Sequence, residues 1–364
     1  MSTIPFKADH VGSLLRPKEL LQAREDFKKQ LISQTELTQL ENRLILDIVT
    51  KQVDVGLQSI TDGEFRRAWW HFDFLEGLNG VTGYVPDEGL QFSGVQTKAY
   101  DVKVTAPVTA NLNHPHFEHA DFLRNAVGSQ GTAKVTIPSP NQLFHPNILN
   151  DELYPDIHDY QRDVSRAYHD SLTALYDIGI RYVQLDDVYW AGLAATEHRI
   201  KRRLRSEEDK QQAIQIAAAT VNEAIAGLPD DLHITTHICR GNFRSSWAMK
   251  GGYGPIAEAL FTEKLDGFFL EYDDERSGDF EPLRHFKRDD AKIVLGLFTS
   301  KHGDLENKET IIERVEEASH YIPKEQLSLS PQCGFSSTEE GNILTEEEQW
   351  RKLKYVVEIA EEIL

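Results

Sequence analysis

The chain has only two cysteines in 364 residues, Cys239 and Cys333, and that scarcity removes any fold held by a disulfide framework. No apolar run approaches the ~18 residues that a membrane-spanning helix needs, so no membrane partner is expected. The opening residues, MSTIPFKADH, lack the basic and apolar regions of a secretory signal, and a cytoplasmic location is the expectation. Basic residues are short too: 39 Lys and Arg stand against 59 Asp and Glu, for a formal net charge of −20. A nucleic-acid partner is therefore not expected, because phosphate backbones demand a dense cationic surface. No Ser/Gly-rich linker, repeat or low-complexity tract divides the chain. One domain over residues 1–364 is expected, long enough to bury a large core without a metal or disulfide to help it.

What is present is an alternation. Short β-rich runs occur at FKADHV (6–11), QSIT (58–61), AKVTIP (133–138), YVQLD (182–186), LHITTHI (232–238), GFFLE (267–271), KIVLGLF (292–298) and QLSLS (326–330). Helical stretches lie between most of them, two opened by the capping-box pairs Ser33/Glu36 and Thr345/Glu348. Strands separated by helices predict an α/β fold, specifically a (β/α)8 TIM barrel. The interval between the second and third strands, about 76–130, is too long for a simple crossover. It contains the alternating run KAYDVKVTAPVT, read as an inserted strand or hairpin.

In such a barrel the chemistry collects where the C-terminal ends of the strands converge. Those ends carry Ser13, then Asp62 and Glu64, Asp186 and Asp187, His237 and Cys239, Glu271, Lys301 and His302, and finally Cys333. His237 and Cys239 are two apart on extended chain and share a face. One imidazole, two thiolates and a carboxylate suit tetrahedral zinc; buried thiols that merely fill core space are the competing reading. Four other stretches carry two readings each. NHPHFEH (113–119) is expected to be a solvated loop, with a second metal site as its rival. RIKRRLR (199–205) reads as a solvated helix or a landing site for an acidic tail. AWWHFDF (68–74) reads as packing or lid, or else as the wall of a donor pocket through Trp69, Trp70 or Phe72. KGGYGP (250–255) reads as a mobile loop or an anion-binding turn.

Together, HVGSLLRP, DGEFRR, VQLDD, HIC, FLE and CGF followed by GNILTEEEQW resemble the cobalamin-independent methionine synthases, in particular short single-barrel relatives of their catalytic C-terminal domain. The resemblance runs from Asp9 to the final helix. It implies a zinc-dependent methyltransferase that makes methionine from homocysteine, with 5-methyltetrahydrofolate, as mono- or polyglutamate, for donor. His237, Cys239, Glu271 and Cys333 match the family's zinc ligands. Ser13 matches a residue that holds the amino-acid carboxylate, and Glu64 and Asp186 match acids that grip the ammonium; Asp62, Asp187 and Arg66 are read as supporting groups. The chain departs from the family in two places. After strand seven it has Lys301 and then His302 where the proton-donating histidine is expected, so His302 is assigned that catalytic role through a shifted loop, with Lys301 as the alternative. The aromatic platform for the pterin after strand three is reduced to Phe144, and the family's first barrel-like half has no counterpart. A methylcorrinoid or another donor is the alternative for the same acceptor; a zinc hydrolase and a non-catalytic zinc-stabilised binding protein are the readings from other classes.

Overall fold

The computed structural model describes residues 4–195, 204 and 206–364; the basic run expected at 199–205 lies, except for Leu204, outside the described residues. In chain order the strands are β1 Ser59–Ile60, β2 Asn79–Tyr84, β3 Gln91–Phe92, β4 Val95–Gln96, β5 Asp101–Thr109, β6 Thr132–Pro138, β7 Tyr182–Asp187, β8 His233–Ile238, β9 Gly267–Glu271, β10 Lys292–Phe298 and β11 Leu327–Pro331. Seven of them form one parallel sheet in the order β1-β6-β7-β8-β9-β10-β11. Their side chains are buried almost without interruption, as parallel strands covered on both faces must be. That continuity is why the apolar runs marked these strands within a residue or two of their true bounds.

The first expected strand, 6–11, is different. It contributes a single parallel bridge, Ala8 to Leu329 on β11, and then departs from regular pairing. Polar side chains take over: Asp9 accepts from Lys134 Nζ at 2.9 Å, Ser59 Oγ at 2.7 Å and Tyr182 Oη at 2.8 Å, all buried. On its other side the same segment reaches the β1 edge, where Thr61 Oγ1 donates to the Gly12 carbonyl at 2.7 Å and the Leu14 N–H to the Gly63 carbonyl at 3.0 Å. Residues 7–14 thus touch both edge strands, so the sheet curls round until its edges meet the same segment. The architecture is an α/β fold built on a curled, parallel seven-stranded sheet.

Helices at 34–54, 115–127, 157–177, 207–225, 308–319 and 346–363 alternate with the strands. Both expected capping boxes are formed, Ser33 with Glu36 and Thr345 with Glu348. Between β1 and β6 the chain makes an antiparallel pair, β2 with β5, and a small hairpin, β3 with β4. The KAYDVKVTAPVT run supplies β5. The hairpin is tied down by the Ser93 N–H on the Trp247 carbonyl, 2.8 Å, and by Phe92 against Phe243, 5.4 Å between centroids.

Two loop expectations are corrected. NHPHFEH is no solvated loop: Pro115 opens the helix Pro115–Val127, the His114 side chain caps it from the N-terminus, and His114 and His116 are buried against Phe74. Proline is favoured in the first helical turn, where its missing N–H is not needed. KGGYGP is likewise held fast, since Tyr253 is fully buried and the Arg240 guanidinium bonds both the Gly251 carbonyl and the Tyr253 hydroxyl.

Candidate active site and metal centre

Strand pairing sets the site. Asp186 on β7 stands beside His237 on β8 in register, and Glu271 ends β9 next to Gly296. Cys239 follows β8 by one residue, and Cys333 follows β11 by two. One donor atom from each of His237, Cys239, Glu271 and Cys333 lies within 4.8 Å of all the others, and all four residues are buried. The sulfurs are 3.6 Å apart, far beyond the ~2.05 Å of a disulfide. They are close to the roughly 3.8 Å edge of a tetrahedron with ~2.3 Å metal–sulfur arms. Two soft thiols, an imidazole and a carboxylate at such spacing fit zinc.

Neighbours prepare these groups. The Arg240 N–H donates to Glu271 Oε1 at 3.0 Å, and the Gly241 N–H points at Cys239 Sγ at 3.3 Å. The thiols share a hydrogen bond that, with burial, pushes Cys239 well above its ordinary range and, from the other side, holds Cys333 below its own. Burial works against a charged His237, but the Asp186 carboxylate at 3.2 Å and the Cys333 sulfur outweigh it and carry the imidazole up to about 9. His237 Nε2 also lies 3.0 Å from the Gln332 carbonyl. A cation that binds this buried set displaces protons from it.

His237, Cys239 and Cys333 border a cavity of about 150 Å³, to which Ser13, Glu64 and Asp186 also contribute. Glu64 sits at φ +60°, a conformation that costs a non-glycine residue energy and recurs at functional sites. The Asp62 carboxylate secures it by accepting the Glu64 N–H at 2.8 Å. Glu64 Oε1 accepts from Thr136 at 2.9 Å, while buried Oε2 has no partner. Burial raises this carboxyl to about 7 against the opposing pull of Arg67. Ser13 lies so close to the C-terminal end of β11 that a Cβ on Gly334 would fall 1.9 Å from its Oγ. The glycine of the CGF motif makes room for that approach.

Other expected groups are not brought to the cavity. The His302 side chain is 60% exposed, its nearest charged partner Asp304 at 3.9 Å. Lys301 turns to Asp273 at 2.8 Å. Neither borders the cavity. Phe144 is buried and packs edge-on against Tyr160 instead of facing the opening. Arg66 pairs with Glu41, and Asp187 holds Asn141 and the Trp190 N–H; both support the frame. Conversely, Trp69, Trp70 and Phe72 do border the cavity, joined by His71, Gln142, His145 and Asn242. Those last four carried no readable signal, because nothing in their spacing distinguishes them from packing.

Comparison with known proteins supplies an independent line. The family model described as the catalytic domain of cobalamin-independent synthase matches residues 6–362. An uncharacterised Bacillus subtilis protein, YxjG, is 51% identical over 361 residues, covering 99% of this chain and 95% of the relative. A Sulfolobus acidocaldarius methionine synthase is 24% identical over 326 residues, covering 89% of this chain and 84% of the relative. A Listeria monocytogenes protein, provisionally assigned as a vitamin-B12-independent methionine synthase, has a crystal structure that superposes with a TM-score of 0.82 at 44% identity, covering 100% and 99% of the two chains.

Proposed function

Because this chain belongs to the family of cobalamin-independent synthase catalytic domains, we infer that it is a methyltransferase that places a methyl group on the thiol of homocysteine, giving methionine. The observation that carries this reading is the buried donor set His237, Cys239, Glu271 and Cys333, three of which, His237, Cys239 and Cys333, border a cavity shared with Ser13, Glu64 and Asp186. A zinc ion held by the four ligands would supply the Lewis acidity that makes a thiolate available near neutral pH.

The surrounding residues orient the acceptor. The unpartnered Glu64 Oε2 and the Asp186 carboxylate are the acceptors for its ammonium group, and the Ser13 hydroxyl is the donor for its carboxylate. Holding both ends of the amino acid fixes where its sulfur lies, which converts a chance encounter into an aligned displacement. Burial excludes water from that line and strengthens each charge contact. The family likeness implies a methyl-folate as donor. Its tertiary amine leaves only when protonated, and the residue assigned to give that proton, His302, faces solvent.

Zinc-edge X-ray absorption on the purified protein tests the acceptor half. Two sulfurs should become three when homocysteine is added. A shell that stays at two would exclude homocysteine as the thiol acceptor at this centre.

A further inference from the structure

The donor side of the cavity has a chemistry of its own, and the inference drawn from it rests on the homocysteine reading above. Part of the cavity wall is a run of aromatic rings. Trp70 stacks on His71 at 4.2 Å between centroids, His71 on Phe72 at 3.8 Å, and Trp69 tilts against Phe72 at 5.2 Å. Three carboxylates, Glu64, Asp101 and Asp186, border the same space, and among the described residues no lysine or arginine does. Burial holds His71 well below its usual range, so the stacked rings carry no positive charge of their own, while Asp186 is engaged by His237 at 3.2 Å. Aromatic faces and carboxylates around one space attract cations.

We propose that the methyl donor of this chain is an onium compound, a sulfonium or quaternary ammonium whose cationic centre docks between the Trp69–Phe72 rings and Asp101, the cavity carboxylate not assigned to homocysteine. Such a donor also removes the need for a proton source. The homocysteine thiol gives its proton to solvent on ionising, and its sulfur attacks the onium methyl carbon. The bond from that carbon to the onium centre breaks with its electron pair staying on the departing atom. A sulfonium then leaves as a neutral thioether and an ammonium as a neutral tertiary amine. No general acid takes part, which agrees with His302 lying outside the cavity and Lys301 being tied to Asp273.

Two measurements on the zinc-loaded protein test this. In calorimetric titration, choline should bind about tenfold more tightly than 3,3-dimethylbutanol, its uncharged isostere. Trp70→Leu should abolish that preference and Trp70→Phe restore part of it, which a merely structural tryptophan would not do. In turnover, trimethylsulfonium and homocysteine should give methionine and dimethyl sulfide in equal amounts. Equal affinity for the charged and uncharged probes would overturn the proposal. So would methionine formed from 5-methyltetrahydrofolate or methylcobalamin by a preparation that makes none from trimethylsulfonium. Failure of every donor alike, with choline still preferred, would instead strike the homocysteine reading and leave the cation site standing.

Discussion

Glu64 concentrates the tension of this site in one side chain. It is buried, sits at positive φ, and keeps one oxygen without a partner. Its carboxyl is raised from 4.5 to about 7. A carboxyl with a raised folded-state value binds more protons folded than unfolded. Its contribution to stability is therefore complete below pH 4.5 and is lost as pH rises through 7. A shift of that size corresponds to about 3 kcal/mol. Glu64→Gln, which cannot ionise, should thus be the more stable protein at about pH 8 by up to about 3 kcal/mol, with the gain vanishing near about pH 5. Urea titrations of the metal-free protein at the two pH values measure it. In catalysis the same change should cost roughly 100-fold in kcat/KM for homocysteine, from loss of a charged contact worth ~3 kcal/mol. If the Glu64→Gln protein keeps full kcat/KM, Glu64 does not hold the ammonium. Stability and function pull apart here, as expected where strain and burial serve binding.

At the level of elements, the segment 7–14 shows why one strand of the expected barrel was written differently. Its sequence has the length of a strand, but Asp9 and His10 spend their polar atoms on a buried network that replaces ladder bonds. Burial alone would raise the Asp9 carboxyl, and the Lys134 ammonium at 2.9 Å outweighs it and holds it low. Lys134 also donates to the His10 carbonyl, so β6 carries the turn that presents Ser13. Asp9→Asn should leave the lysine as an uncompensated buried charge and cost about 3–5 kcal/mol. Chemical denaturation would register this, and a loss under about 1 kcal/mol would show that the pair does not hold the segment. The other seven strands were legible because a doubly covered strand must be apolar along its whole length. The meeting of His237, Cys239, Glu271 and Cys333 was legible because strand ends converge, so residues 94 positions apart, such as Cys239 and Cys333, could be expected to come together. What was not legible depended on contacts between distant segments. Phe144 looks like a platform until Tyr160 covers it, and His114 looks solvated until Phe74 stacks on it. His302 looks catalytic until the β10 loop turns it outward.

For the whole molecule the question is whether the donor set holds the fold or is held by it. The curled sheet is held by backbone pairing in the order β1, β6, β7, β8, β9, β10 and β11. The large apolar core, with Leu185, Ile234, Leu270, Ile293 and Leu329 among its members, does not include the two cysteines. The four side chains of the candidate metal centre sit at or just beyond strand ends, outside that core. This is the reverse of a small zinc-dependent domain, in which metal binding supplies the folding energy itself. Stripping the protein with a chelator should therefore leave its far-UV circular dichroism and a single cooperative unfolding transition intact. Restoring zinc to a free concentration about 100-fold above its dissociation constant should stabilise the fold by only about 2.7 kcal/mol, by mass action. Loss of the circular dichroism signal on chelation would mean that the metal is structural, and the methyl-transfer reading would then lose the preformed ligand cage on which it depends.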